Sequence, residues 1–289
     1  MSRISEMLCN GPLISDGAWG TQLQAIGLPL GTVPDNWNLS HSEKVEAVAR
    51  AYVEAGSQVI LTNTFRANAV AMRETSEADL ERMNRSGVEI SKRAAGDRAL
   101  VFASIGPTGK LLLTGGVKKA EMLAAFEMQA RSLAAAGADA LLIETMSDLE
   151  EARIAVEGAK KTGLPVIASF AFDSGRNKDR TMMGVTPEAV AAAMVEAGVD
   201  GVGANCGVGV EQAVPICQRL HAACELPIWI KPNAGLPIVE GGEIHYAPTA
   251  EFFASHYGSL SAAGAMFVGG CCGSTPDFIR ALVAARNSG

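Results

Sequence analysis

Six cysteines are spread along this 289-residue chain, and three of them stand in settings suited to sulfur chemistry. Cys206 follows Ala204-Asn205 and precedes Gly207, while Cys271 and Cys272 lie within Gly269-Gly270-Cys271-Cys272-Gly273. Both groups close a short apolar run, Val199–Ala204 in one case and Ala265–Val268 in the other. Thiolates are soft ligands. Three converging on one point suit a soft cation, most simply Zn²⁺, with a fourth tetrahedral position left open. An open position on such an ion suits a thiol substrate, which is more readily deprotonated there and becomes a nucleophile near neutral pH. The alternative for a buried cysteine is a small apolar filler. We assign that reading to Cys9, Cys217 and Cys224. Around 271–272 the flanking glycines indicate a backbone pressed close to something bound. The chain holds no C-x-x-C pair and no zinc-finger spacing. Of its four histidines, His245 is the best reserve ligand.

The elements that must bring these sulfurs together are legible in a recurring pattern. A helix-like stretch ends in Ala-Gly at 55–56, 95–96, 136–137, 197–198 and 263–264, and a short apolar run follows each time. Glycine just past a helix accepts the left-handed backbone that closes it. Runs of four to seven residues rich in Val and Ile read as strands buried on both faces. Eight strands are predicted, at 12–16, 57–62, 99–105, 139–144, 165–172, 199–205, 226–232 and 264–269, each followed by a helix. Capping boxes are expected at Ser40/Glu43 and Ser147/Glu150, and Thr-Pro helix starts at 186–187 and 275–276. Eight units of about 36 residues give the fold class: α/β, a single-domain (β/α)₈ TIM barrel over residues 1–289. An open doubly wound sheet would usually carry a G-x-G-x-x-G loop after its first strand, and none is present. In a barrel the residues just past the strands ring one pocket. Those residues include Asp16-Gly17, Asn63, Glu144, Asn205-Cys206, Lys231-Pro232-Asn233 and Cys271-Cys272. Two long loops, Asp173–Val185 and Ala234–Pro248, are expected on the same face.

Composition narrows the function classes. Hydrophobic residues make up 48% and charged residues 19%, which excludes a disordered chain. A net charge of −7 lacks the basic footprint of a nucleic-acid binder. No apolar run reaches the roughly 18 residues of a membrane span, and the N-terminus lacks a signal-peptide core. The expectation is a cytoplasmic protein without nucleic-acid or membrane partners.

Taken in order, Asp16-Gly17-Ala18-x-Gly20-Thr21, Thr62-Asn63-Thr64-Phe65, Ile105-Gly106-Pro107, Glu144-Thr145, Ala204-Asn205-Cys206, Lys231-Pro232-Asn233-Ala234-Gly235 and Gly269-Gly270-Cys271-Cys272-Gly273-x-Thr275-Pro276 resemble the homocysteine S-methyltransferase family. The resemblance runs over essentially the whole chain. It implies a zinc-bearing barrel with Cys206, Cys271 and Cys272 as metal ligands. It also implies that Asp16, Gly17 and Glu144 hold the amino acid end of homocysteine. A carboxylate at 144 is charge-complementary to an ammonium; the alternative is a barrel-mouth acid paired with a lysine or arginine. Asp16 is either a substrate contact or the first residue of an Asp-Gly turn. Asn63 and Asn233 are either substrate donors or ties between loops.

The methyl donor divides the family. A quaternary ammonium is best held by an aromatic cage. The betaine-using members carry aromatics where this chain has Arg66 and Thr145, which leaves Trp37 as a single cage wall. The segments Leu61–Phe65, Val101–Leu111 and Lys231–Gly242 are most similar to the homocysteine module of cobalamin-dependent methionine synthase. The resemblance therefore implies a stand-alone homocysteine module taking methyl from a separate corrinoid protein. The alternatives are a free donor, betaine or S-methylmethionine, and a zinc- and thiol-binding subunit without turnover.

Overall fold

A computed structural model describes residues 3–240 and 243–288 of the chain. Seven parallel strands, β1 (Leu13–Ile14), β2 (Val59–Leu61), β3 (Leu100–Ile105), β4 (Ala140–Met146), β5 (Val166–Phe170), β6 (Gly201–Cys206) and β7 (Ile228–Pro232), alternate with helices. A short antiparallel hairpin follows, β8 (Pro237–Glu240) and β9 (Glu243–Tyr246), and then the last barrel strand, β10 (Ala265–Val268). Barrel strands pair in the order β1-β10-β7-β6-β5-β4-β3-β2. A parallel bridge between Ser15 and Val59 joins the two ends of that order into a ring. The protein is thus a single-domain TIM barrel. The segment expected as a plain loop after β7 contains the hairpin, because Pro237–Val239 and Ile244–Tyr246 flank Gly241-Gly242 and pair across it.

Six strands fall inside their predicted segments. β4 and β6 run past theirs, to Met146 and Cys206, and both do so at residues with a left-handed backbone. The five Ala-Gly glycines behave as expected, with φ between +52° and +99°. Thr186 caps its helix by accepting the Ala189 N–H at 3.3 Å, with Pro187 next. The two expected capping boxes do not form. Ser40 instead ends the short helix Trp37–Ser40, where its hydroxyl donates to the Asn36 carbonyl, and the next helix starts at Ser42 without a side-chain cap. Asp148, one residue nearer than Ser147, accepts the Glu150 N–H at 2.9 Å and takes over that cap.

Two apolar layers hold the ring. Outward-facing strand residues such as Val101, Leu141 and Val202 pack against the helices. Inside the barrel, Phe102, Trp229 and Phe267 lie ring against ring, with centroids 5.2–5.9 Å apart. Ile4 and Leu8, from the helix Arg3–Met7 and the residue after it, close this inner core. Each buried ring contributes roughly 1.5–3 kcal/mol of transfer free energy. No helix among the described residues is long and apolar enough to cross a membrane.

Candidate active site at the barrel mouth

The strand ends surround a cavity of about 450 Å³. Its walls include Gly17, Asn63, Glu144, Lys231 and all three expected thiols. Cys206 ends β6, and the other two follow β10, so the fold closes a long sequence separation. The Cys206 sulfur lies 3.9 Å from that of Cys272 and 3.6 Å from that of Cys271. All three sulfurs lie within 4.8 Å of one another, and no other metal-ligating cluster of this kind is found among the described residues. Sulfurs about 2.3 Å from a tetrahedral ion would stand about 3.8 Å apart, so the spacing fits such an ion. Three soft donors facing a cavity would leave the fourth position of such an ion open. The His245 side chain lies outside the described residues.

The backbone is adapted to this meeting. Cys206 has φ +60°, and Gly207 and Gly273 have φ +71° and +82°. The Tyr246 ring packs against Gly273, where any side chain would collide with it. Asn233 accepts the Cys272 N–H at 3.0 Å and donates to the Gly207 carbonyl at 2.8 Å. It thus ties the two cysteine loops together and is absent from the cavity wall. Cys206 is pushed far above the ordinary thiol range by its hydrogen bonds to Cys271 and Cys272, while Cys272 is lowered by its hydrogen bonds to Cys206 and Cys271. Three sulfurs this close cannot all ionise without a compensating cation.

Opposite the sulfurs is a buried charged group. Glu144 accepts from the Ser104 hydroxyl and from Asn205 Nδ2, the latter at 3.4 Å. Burial raises its carboxyl from 4.5 to about 7, with the Lys231 charge opposing that rise. Asp16 is fully buried and pairs with Lys231, itself only 2% exposed. Asp16 also accepts from Trp19 Nε1 and from the Leu61 N–H, both at 2.7 Å. It therefore sits beneath the Gly17 loop as an ion-pair partner, not on the cavity wall. Gly17 is a close-approach glycine, since a Cβ there would come within 2.7 Å of the Tyr52 ring. Asn63 lines the cavity but spends its amide on the Pro34 carbonyl at 2.8 Å and on Asn38 at 3.0 Å, so it ties loops.

Trp37 is not a cavity wall. It is buried, stacked on His41 at 4.7 Å, with the Lys44 ammonium over its ring. Trp19 and Phe65 are the aromatic lining instead. From sequence, Lys231 and Asn205 are placed on the ring of the pocket without a role, and Ser104 is not singled out. A lysine ending a buried strand, two residues after Trp229, was the available signal for the first.

With this geometry in place, the relatives can be compared. Residues 13–286 match the family described as homocysteine S-methyltransferase, and the chain belongs to that family. The methionine synthase of Mycobacterium tuberculosis is 31% identical over 298 residues, covering 97% of this chain and 25% of its own length. The chain thus spans about a quarter of the length of the curated relatives it matches. Among solved structures, the metallated form of the homocysteine methyltransferase MmuM from Escherichia coli is 26% identical. It superposes with a TM-score of 0.81 over 97% of this chain and 99% of that one. The oxidized form of the same protein, also 26% identical, gives 0.78 over 94% of this chain and 95% of that one.

Proposed function

We propose that this chain is a zinc-dependent homocysteine S-methyltransferase that forms methionine. In this reading residues 1–289 act as one stand-alone homocysteine-binding barrel, and the methyl group comes from a separate corrinoid protein. The observation that carries it is that three sulfurs and the Glu144 carboxylate open on one cavity. Cys206, Cys271 and Cys272 would hold Zn²⁺, which when bound supplies Lewis-acid stabilisation of a substrate thiolate. Glu144, fixed by Ser104 and Asn205, has lone pairs left to accept from the homocysteine ammonium. The Asp16–Lys231 pair supports the Gly17 loop from below and places a cation beside a site rich in negative charge. Holding acceptor and donor in line over the strand ends supplies rate through orientation.

The methionine synthase relatives, matched over one part of a much longer chain, support a corrinoid donor. A free small-molecule donor is the second reading. It is favoured by the E. coli homocysteine methyltransferase, matched over 99% of its length, and by the Trp19 and Phe65 faces, which suit an onium cation. A cytoplasmic location is part of the proposal, supported by six cysteines that are all free thiols.

Metal analysis followed by a donor panel with homocysteine tests the reading. We expect about one zinc per chain and methionine formation from methylcobalamin that rises when a corrinoid protein is added. Brisk turnover of betaine or S-methylmethionine without any corrinoid would overturn the donor assignment. A chain with intact thiols and no metal affinity would overturn the whole reading.

A further inference from the structure

The glutamate and the first thiol stand on strands that are not paired with each other, since β5 lies between β4 and β6. One side chain spans that gap. Asn205 Oδ1 accepts from the Thr145 N–H at 2.9 Å and from the Ser169 hydroxyl of β5 at 2.7 Å. Its Nδ2 donates to Thr145 Oγ1 at 2.7 Å and reaches Glu144 Oε2 at 3.4 Å. The ladder between β4 and β5 pairs Ile143 with Ala168 and then Met146 with Phe170. Two residues, Glu144 and Thr145, therefore oppose the single Ser169, which is a β-bulge. A bulge frees a backbone N–H from the ladder and re-aims the side chain beside it. Asn205 takes up the freed Thr145 N–H, and Glu144 is the re-aimed side chain.

Backbone strain marks both ends of this link. Thr145 has φ +61° and Cys206 has φ +60°; among the described residues, the one other non-glycine residue with positive φ is Lys178, in a loop. A left-handed threonine is sterically disfavoured and persists only where its surroundings hold it. The two hydrogen bonds between Asn205 and Thr145, one in each direction, do that, and Asn205 itself leads directly into the left-handed turn at Cys206.

We propose that Asn205 is a positioning residue that couples the thiol cluster to the amino-group site: its amide locks the Glu144–Thr145 bulge while its backbone leads into Cys206. The inference rests on Glu144 as the ammonium acceptor. It makes preference for an amino-bearing thiol a property of the β6 end as well as of β4. Loss of Asn205 relaxes the bulge and turns Glu144 away from the cavity.

The test uses the zinc-loaded full chain and two thiols, homocysteine and its des-amino analogue γ-mercaptobutyrate. Calorimetric affinities are compared for the wild type, Asn205→Ala, Thr145→Gly and the double variant, with metal stoichiometry measured for each. We expect Asn205→Ala to lower the preference for homocysteine by about tenfold, the loss of one well-placed charged hydrogen bond, with the analogue bound much as before. Thr145→Gly in the Asn205→Ala background should restore part of that preference, since glycine holds the left-handed turn unaided. Equal weakening of both thiols, or a double variant no better than Asn205→Ala, would overturn the proposal while leaving the Glu144 reading intact. A wild-type chain with no preference for homocysteine would overturn the Glu144 reading and the proposal together.

Discussion

The same strands build two opposite environments inside this barrel. β3, β7 and β10 first send Phe102, Trp229 and Phe267 inward as a stacked apolar plug. Two residues further along, the next inward positions are Ser104, Lys231 and Gly269, the last leading into the cysteine loop. On β4 the step is from Leu142 to Glu144, and on β5 from Ile167 to Ser169. Strand residues alternate faces, so a shift of two keeps the side while changing the layer. One layer is close-packed and charge-free; the next carries a buried ion pair, a buried carboxyl and three thiols. The comparison teaches that the lower layer supplies rigidity and the upper layer uses it.

Breaking the upper layer at its sulfurs has the largest expected consequence. Cys206→Ala or Cys272→Ala should lose metal and activity while the chain still folds, as read by metal analysis beside a thermal melt. Full metal content in either variant would remove the sulfurs from their assigned role. Breaking the lower layer should do the reverse. Trp229→Ala is expected to cost about 3–5 kcal/mol of stability through the cavity it leaves, measured by denaturant unfolding, with metal retained by the folded fraction. Lys231→Met tests how cleanly the layers divide. It leaves the Asp16 charge buried and unpaired, and should cost about 3–5 kcal/mol although it lies in the site.

Glu144→Gln is a smaller perturbation. We expect homocysteine affinity to fall about tenfold with little change in melting temperature. In the wild type, burial raises the Glu144 carboxyl to about 7, so homocysteine affinity should weaken as pH falls through that value and the carboxylate is lost. Folding of the ligand-free chain should show the opposite trend. A carboxyl raised in the folded state contributes stability that is fully present below its ordinary value of 4.5 and is lost as pH rises through about 7. Glu144→Gln should flatten the affinity profile and remove its own share of the stability profile, leaving the share of Asp35, which burial raises to about 6. Asn233→Ala, which unties the two cysteine loops, should cost a similar factor of about tenfold, but in metal affinity, measured by competition with a chelator.

Much of this architecture was legible in the residues. Glycine stops and apolar runs located the strands closely, because closing a helix and burying a strand on both faces are local demands. The three sulfurs were legible because soft ligands flanked by glycine have few other uses. The pairing of Asp16 with Lys231 was not legible, since 215 residues separate them and only ring closure brings them together. Asp-Gly at 16–17 read equally well as a turn. The role of Asn205 was hidden for a related reason: its partners, Thr145 and Ser169, lie on two other strands, and nothing local marks the bulge they form. The capping boxes at Ser40 and Ser147 matched a spacing rule, but Ser40 was absorbed into the end of the preceding short helix and Asp148 took the cap expected of Ser147. Trp37 was misplaced because aromatic character does not reveal which face of a short helix is turned toward the core.

The joint where the ring closes is held by a single parallel bridge rather than by a run of paired residues. Between β1 and β2 the Ser15–Val59 bridge and the Gln58 N–H bond to the Ile14 carbonyl are backbone links, but side chains complete the seam. The Gln58 amide oxygen receives the Ile14 N–H, and the Asp16 carboxylate receives that of Leu61. Deuterium uptake at those two amides is therefore expected to follow rotation of a side chain rather than parting of a ladder. Such a seam should unlatch before the longer ladders, and it adjoins the Gly17 wall of the cavity.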